Sequence, residues 1–279
     1  MSGLQDDMRG KTAVLTGATG GIGRQVARAY AERGARLVLV GRDRGKLDAL
    51  LTALPGGNHG TVLADLALVE GNRRAADEVM RQAPVVDLLL NVAGAIVGTR
   101  QMTSEGMELT LATNVLGPVA LSEALLPALR RATHPRVVVT GSEALAFVRD
   151  PKPEDMQSEA GYRGFPGAYA RAKAWLTMWA LSDPLGGVPV VVADPGGTKT
   201  DMTILDALPL PIRLLRPFIM HGPEVAALAF LRAGADLPLA EIAGRVVMPK
   251  KLVTLKPRYR DAAKVQAVCD EIERFVGSQ

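Results

Sequence analysis

Short apolar runs rich in valine and leucine recur along this chain, and most are followed by a longer segment with helical character. The runs are TAVLT (12–16), RLVLV (36–40), TVLAD (61–65), VDLLLN (86–91), RVVVT (136–140), VPVVVAD (188–194) and GRVVM (244–248). Several show no alternation of apolar and polar positions, as expected of strands covered on both faces. Between most of them lie amphipathic or alanine-rich stretches such as RQVARAYAERG and LSEALLPALRRA. Repeated strand–helix units predict an α/β fold, a doubly wound seven-stranded parallel sheet with helices on both faces. No linker, repeat or low-complexity tract interrupts the order, so residues 1–279 are expected to form a single domain.

Two segments break the rhythm. Residues 149–166, RDPKPEDMQSEAGYRGFP, read as a Pro- and Gly-rich loop. Residues 201–223 are apolar but carry prolines at 209, 211, 217 and 223, so they cannot form one long helix. They are either a packing excursion or, as their place after the sixth strand favours, a lid over an oily substrate.

Composition narrows the classes. The chain is 48% hydrophobic and 22% charged, ordinary for a folded soluble protein. Cys269 is the only cysteine, which excludes an intramolecular disulfide and a cysteine-based metal site. The start, MSGLQDDMRG, carries no apolar signal region, and no apolar run approaches a membrane span. A cytoplasmic location is the expectation. The net charge of +4 is modest, although basic residues cluster at 24–46 and in PKKLVTLKPRYR (249–260). No nucleic-acid-binding motif accompanies them. A phosphate-bearing cofactor accounts for the first cluster and a solvated face for the second, so no nucleic-acid partner is expected.

The first strand runs into TGATGGIG, residues Thr16, Gly17, Thr19, Gly21, Ile22 and Gly23 among them, and then into a helical segment. Glycines where a strand turns into a helix let a pyrophosphate approach the helix N-terminus. In the first βα turn of a parallel sheet this is a dinucleotide fingerprint. The second strand ends in Gly41 and Arg42, where an acidic residue would hold the ribose 2′-hydroxyl of NAD. A guanidinium there suits a 2′-phosphate, so NADP(H) is favoured over NAD(H). The alternative is that Arg42 begins a solvated helix.

AYARAKAW (168–175) places Tyr169 and Lys173 one helical turn apart. Taken alone the pair reads as an aromatic ring and a lysine stem packing on a surface helix. A free tyrosine titrates near ~10, and a neighbouring ammonium is expected to draw that value towards neutrality and make the phenol a proton-exchange group.

The glycine turn, the Tyr-x-x-x-Lys pair and the strand order together resemble the short-chain dehydrogenase/reductase superfamily, and more closely its retinol-dehydrogenase-like branch, over nearly the whole chain. The resemblance implies a Rossmann fold and a hydride exchange between nicotinamide and a carbonyl or alcohol carbon. It implies that Asp65 and Leu66 border the adenine, and that Asn91, Ala93 and Gly94 border the cofactor. Pro195, Gly196, Thr198 and Thr200 fall at the nicotinamide end. Asn114, Ser142, Tyr169 and Lys173 match the catalytic set: Ser142 holds the substrate oxygen, Tyr169 exchanges the proton, Lys173 also binds the nicotinamide ribose and Asn114 orders a water chain. A hydrophobic ketone, aldehyde or alcohol is the expected substrate, a homodimer the expected assembly, and no metal is implied. A sensor without turnover, or cyclase or epimerase chemistry on the same fold, are the competing readings. The chain departs from the pattern at Gly141, where a serine is usual, at Asp194, and at Gly20, where NADP-binding members often carry a basic residue.

Overall fold

The computed structural model describes residues 7–199 and 220–278. Its strands are β1 (Thr12–Thr16), β2 (Arg36–Gly41), β3 (Gly60–Leu63), β4 (Leu88–Asn91), β5 (Arg136–Thr140), β6 (Val190–Ala193), β7 (Arg245–Val247) and β8 (Leu252–Thr254). They form one sheet in the order β3-β2-β1-β4-β5-β6-β7-β8. The first seven are parallel neighbours, at the positions the apolar runs predicted. The eighth was not predicted, and it runs antiparallel to β7, with Val246 opposite Val253. Its three residues, LVT, sit inside the basic run, where charge hides so short a strand. The expected seven-stranded parallel sheet is therefore an eight-stranded sheet with one antiparallel edge.

The unbroken apolar runs have a direct consequence. Side chains alternate between faces along a strand, so a run apolar throughout feeds two cores. Val14, Val38, Val40, Leu89, Val137 and Val139 join one cluster. Their neighbours Leu15, Leu37, Leu39, Leu88, Leu90 and Val138 join the other. Helices α1 (Gly21–Glu32), α2 (Arg44–Ala53) and α3 (Val69–Gln82) follow the first three strands. Next come α4 (Leu109–Leu111), α5 (Gly117–Ala124) and α6 (Leu126–Leu129), then α7 (Ala170–Ala180). The C-terminal part adds α8 (Pro223–Leu231), α9 (Leu239–Ile242) and α10 (Ala262–Gly277). On one face α1 packs against α8, and on the other α3 packs against α5 and α7 against α10. Tyr30 of α1 ties the first pair by donating from its hydroxyl to the Phe230 carbonyl at 3.2 Å.

The strand order reverses direction between β1 and β4. At such a point the loops leaving neighbouring strands run to opposite faces and open a crevice at the carboxyl edge of the sheet. Along that edge, in spatial order, follow Asp65 after β3, Arg42 after β2, Gly17 after β1, Ala93 after β4, Ser142 after β5 and Pro195 after β6. Six neighbouring strands span about 24 Å at the usual ~4.8 Å spacing.

Candidate active site

The glycine turn is tight enough to exclude side chains. Gly17 has φ +68°, and a Cβ there would lie 2.8 Å from the Ala93 backbone. A Cβ on Gly23 would lie 2.1 Å from the Gly17 oxygen. Only glycine fits either position, and the N-terminus of α1 is left open above them. Thr16 is buried and braces the turn: its Oγ1 accepts from Ala93 N at 3.2 Å. Thr19 and Ile22 lie on the turn and are partly exposed. These features form a backbone cradle that fits a dinucleotide pyrophosphate.

Arg42 is exposed, while Asp43, not Arg42, caps α2 by accepting from Lys46 N at 3.0 Å. Arg42 makes no ion pair among the described residues. A Cβ on Gly41 would make only ordinary contact with Leu47 at 3.6 Å, so nothing in the packing demands glycine there. Asp65 is exposed and accepts from Ala67 N at 3.0 Å, and Leu66 is partly buried. Asn91 is buried; its Nδ2 donates to Ser122 Oγ at 3.1 Å, and its Oδ1 has no partner. Gly94 follows on the same loop.

After β6 the chain turns through Asp194, Pro195 and Gly196. Gly196 has φ +71°, and its amide donates to Asp194 Oδ1 at 2.8 Å. Thr198 Oγ1 donates to the Gly196 carbonyl at 3.0 Å. His221, which the sequence reading passed over, packs beside this turn: a Cβ on Gly196 would lie 3.1 Å from its Nε2. Thr200 and residues 201–219 of the expected lid lie outside the described residues.

Three of the four expected catalytic side chains converge at the end of β5, and the fourth packs behind them. Tyr169 closes a π-helical turn, Gly164–Tyr169, and α7 begins at the next residue. Lys173, only 1% exposed, lies on the first turn of α7. Its ammonium donates to the Thr140 carbonyl at 3.0 Å and lies 5.6 Å from the centroid of the Tyr169 ring. A surface packing role for the pair is therefore excluded. Ser142 follows β5, its Oγ accepting from Ala144 N at 3.2 Å, and it lies beside the phenol of Tyr169, whose ionised form it favours. Asn114 sits in another π-helical turn, Ala112–Leu116, which packs against α7. Its Nδ2 donates to Ala95 O at 2.8 Å and Thr110 O at 2.9 Å, and its Oδ1 accepts from Ala95 N at 3.4 Å. Both amide hydrogens are thus committed to the main chain. Two π turns in one site suit a functional region, where such bulges re-aim side chains.

The electrostatics differ from the expectation of a lowered phenol. Tyr169 is pushed up to about 12 by burial, against the favourable hydrogen bond from Ser142. Lys173 is pushed down to about 7 by burial, against the attraction of Asp194. Asp194 is pushed up to about 6 by burial, against the hydrogen bond from Gly196. Desolvation dominates both shifts, and the buried lysine does not draw the tyrosine down.

An apolar cavity of about 220 Å³ opens beside Ser142 and Asp194, lined by Leu145, Val246, Met248, Val253 and Leu255. Phe165 stacks on Tyr169 with centroids 5.6 Å apart, and Phe147 meets Phe165 edge-on at 6.0 Å. Neither phenylalanine was picked out from the sequence. The 149–166 loop is anchored here, with Trp175 Nε1 donating to Pro151 O at 2.7 Å. No metal-binding cluster occurs among the described residues.

Comparison with known proteins agrees with the fold. The family model described as short chain dehydrogenase matches residues 11–151. Human dehydrogenase/reductase SDR family member 13 is 30% identical over 292 residues, covering 99% of this chain and 75% of that protein. Mouse retinol dehydrogenase 14 is 27% identical over 293 residues, covering 97% of this chain and 87% of that protein. A Beutenbergia cavernae structure holding NADP at low occupancy aligns with a TM-score of 0.67 at 25% identity, over 87% of this chain and 96% of that one.

Proposed function

The chain belongs to the short-chain dehydrogenase/reductase family, and from that premise we propose that it reduces a hydrophobic ketone or aldehyde with NADPH. The family assignment makes it an oxidoreductase acting on alcohol or carbonyl groups. The observation that carries the finer reading is the buried Lys173, fixed to Thr140 O and facing the Tyr169 ring beside Ser142.

The glycine cradle, Arg42, the Asn91–Gly94 loop, Pro195, Gly196 and Thr198 would hold the dinucleotide along the carboxyl edge of the sheet. When bound, it supplies the hydride. Ser142 would hold the substrate oxygen, and Tyr169 would give it a proton. A phenol kept protonated by burial suits that task, because an alkoxide is a far stronger base than phenolate and takes the proton only as it forms. Lys173, in its charged form, stabilises the phenolate left behind. The exposed Arg42, with no ion-pair partner among the described residues, supports NADP(H), as does the NADP in the Beutenbergia cavernae relative. The apolar cavity and the Phe147–Phe165–Tyr169 row support an oily substrate.

The test is NADPH consumption, followed at its absorbance band, with a panel of hydrophobic aldehydes and ketones. Turnover of at least one supports the reading. Binding of NADPH without consumption across the panel favours a sensor instead.

A further inference from the structure

The cavity beside Ser142 has two chemically different walls. One comes from the exits of β5 and β6 and carries Ser142, Glu143 and Asp194. The other comes from the β7–β8 hairpin and the turn after it. It carries apolar side chains together with Lys251, Lys256 and Arg258. Most of this second wall belongs to the basic run 249–260, whose charges the proposed chemistry leaves without a task.

The charges can be accounted for one at a time. Asp194 is held by Gly196 N and attracted by Lys173 and Lys251, which gives Lys251 an acidic neighbour. Further along the surface, Asp261 caps α10 through Lys264 N at 3.0 Å, and Lys264 pairs with Asp150 at 3.2 Å. Lys256 and Arg258 have no such partner: neither makes an ion pair among the described residues. The Nε of Arg258 is buried without a hydrogen-bond acceptor. A buried N–H on a charged group is costly to leave unpaired, more so than a neutral one.

Arg258 is also held in place. Its guanidinium lies 4.9 Å from the centroid of the Tyr259 ring. Tyr259 is 1% exposed, and its hydroxyl donates to the carbonyls of Leu145 and Val148, the latter at 2.7 Å. The turn carrying Arg258 is thereby fastened to the segment that follows Ser142. A fixed cation, short of an acceptor and lining an apolar cavity, is a ready site for a carboxylate.

We infer that the substrate of this cavity is an apolar molecule bearing a carboxylate, with Lys256 and Arg258 receiving the carboxylate while Ser142 faces the reacting carbon. The inference rests on the proposed function for the reacting end, but the anion site can be measured without turnover. A planar guanidinium meets a carboxylate with paired charge-assisted hydrogen bonds.

The test is isothermal titration of the full chain with octanoate and with octanamide, its neutral counterpart, at low salt. Octanoate should bind about tenfold more tightly, the scale of one charge-assisted contact. The Lys256→Gln/Arg258→Gln variant should bring octanoate to the octanamide level. Equal affinity for the two ligands, or no binding of octanoate, overturns the inference, and the comparison on the unaltered chain needs no variant to fold. Failure of the underlying oxidoreductase reading shows separately, as an absence of NADPH consumption across the whole panel of hydrophobic aldehydes and ketones, carboxylate-bearing members included.

Discussion

The ammonium of Lys173 donates to the main-chain oxygen of Thr140 at 3.0 Å. This bond joins the first turn of α7 to the last residue of β5, and so fixes the tyrosine helix relative to the strand that delivers Ser142. Lys173→Met is expected to keep the far-UV circular dichroism of the parent and to lose at least about a hundredfold in kcat/KM, the lower end for loss of acid–base assistance.

The same lysine carries a pH signature. Its folded value of about 7 lies below the unfolded 10.5, so the unfolded chain binds more protons between the two. This group therefore makes the cofactor-free protein more stable as pH rises from about 7 towards 10.5, and lowers its stability as pH falls through that window. Thermal unfolding across the window should show a shallower pH slope for Lys173→Met than for the parent.

Asp194 favours the charged form of Lys173 against burial, with Glu143 and Lys251 as the other charges acting on the carboxylate. Removing the carboxylate lowers Lys173 further. If activity needs the ammonium, Asp194→Asn should move the alkaline limb of the kcat/KM profile to lower pH. An unmoved limb would remove Asp194 from this role.

Gly23→Ala should lose cofactor binding and fold stability together, since its new Cβ would lie 2.1 Å from the Gly17 oxygen with only backbone to yield. Overpacking of this kind costs about 1–3 kcal/mol. Denaturant midpoints and the NADPH-induced thermal shift check the two effects.

Arg42→Gln should shrink the thermal shift given by NADPH and leave that given by NADH nearly unchanged. An equal loss with both would show that Arg42 does not read the 2′-phosphate.

The seven parallel strands were legible because a strand buried on both faces must be apolar at every position, as Val137–Val139 are. β8 was not, because only Leu252 and Val253 are apolar amid lysines and the strand is antiparallel at an edge. Tyr169, Lys173 and the glycine turn were legible because their chemistry needs fixed spacing within one segment. His221 and Arg258 were not, since each reaches the site from a loop or turn distant in sequence. The direction of the Tyr169 shift was also beyond the sequence: it depends on how completely α7 buries both partners, and spacing carries no measure of desolvation.

Tyr169→Phe tests the central account most directly, because it removes one hydroxyl and keeps the ring stacked on Phe165. With a substrate that the parent reduces, the variant should bind NADPH normally and consume it at least about a hundredfold more slowly. Consumption at the parent rate would contradict the assignment of Tyr169 as proton donor.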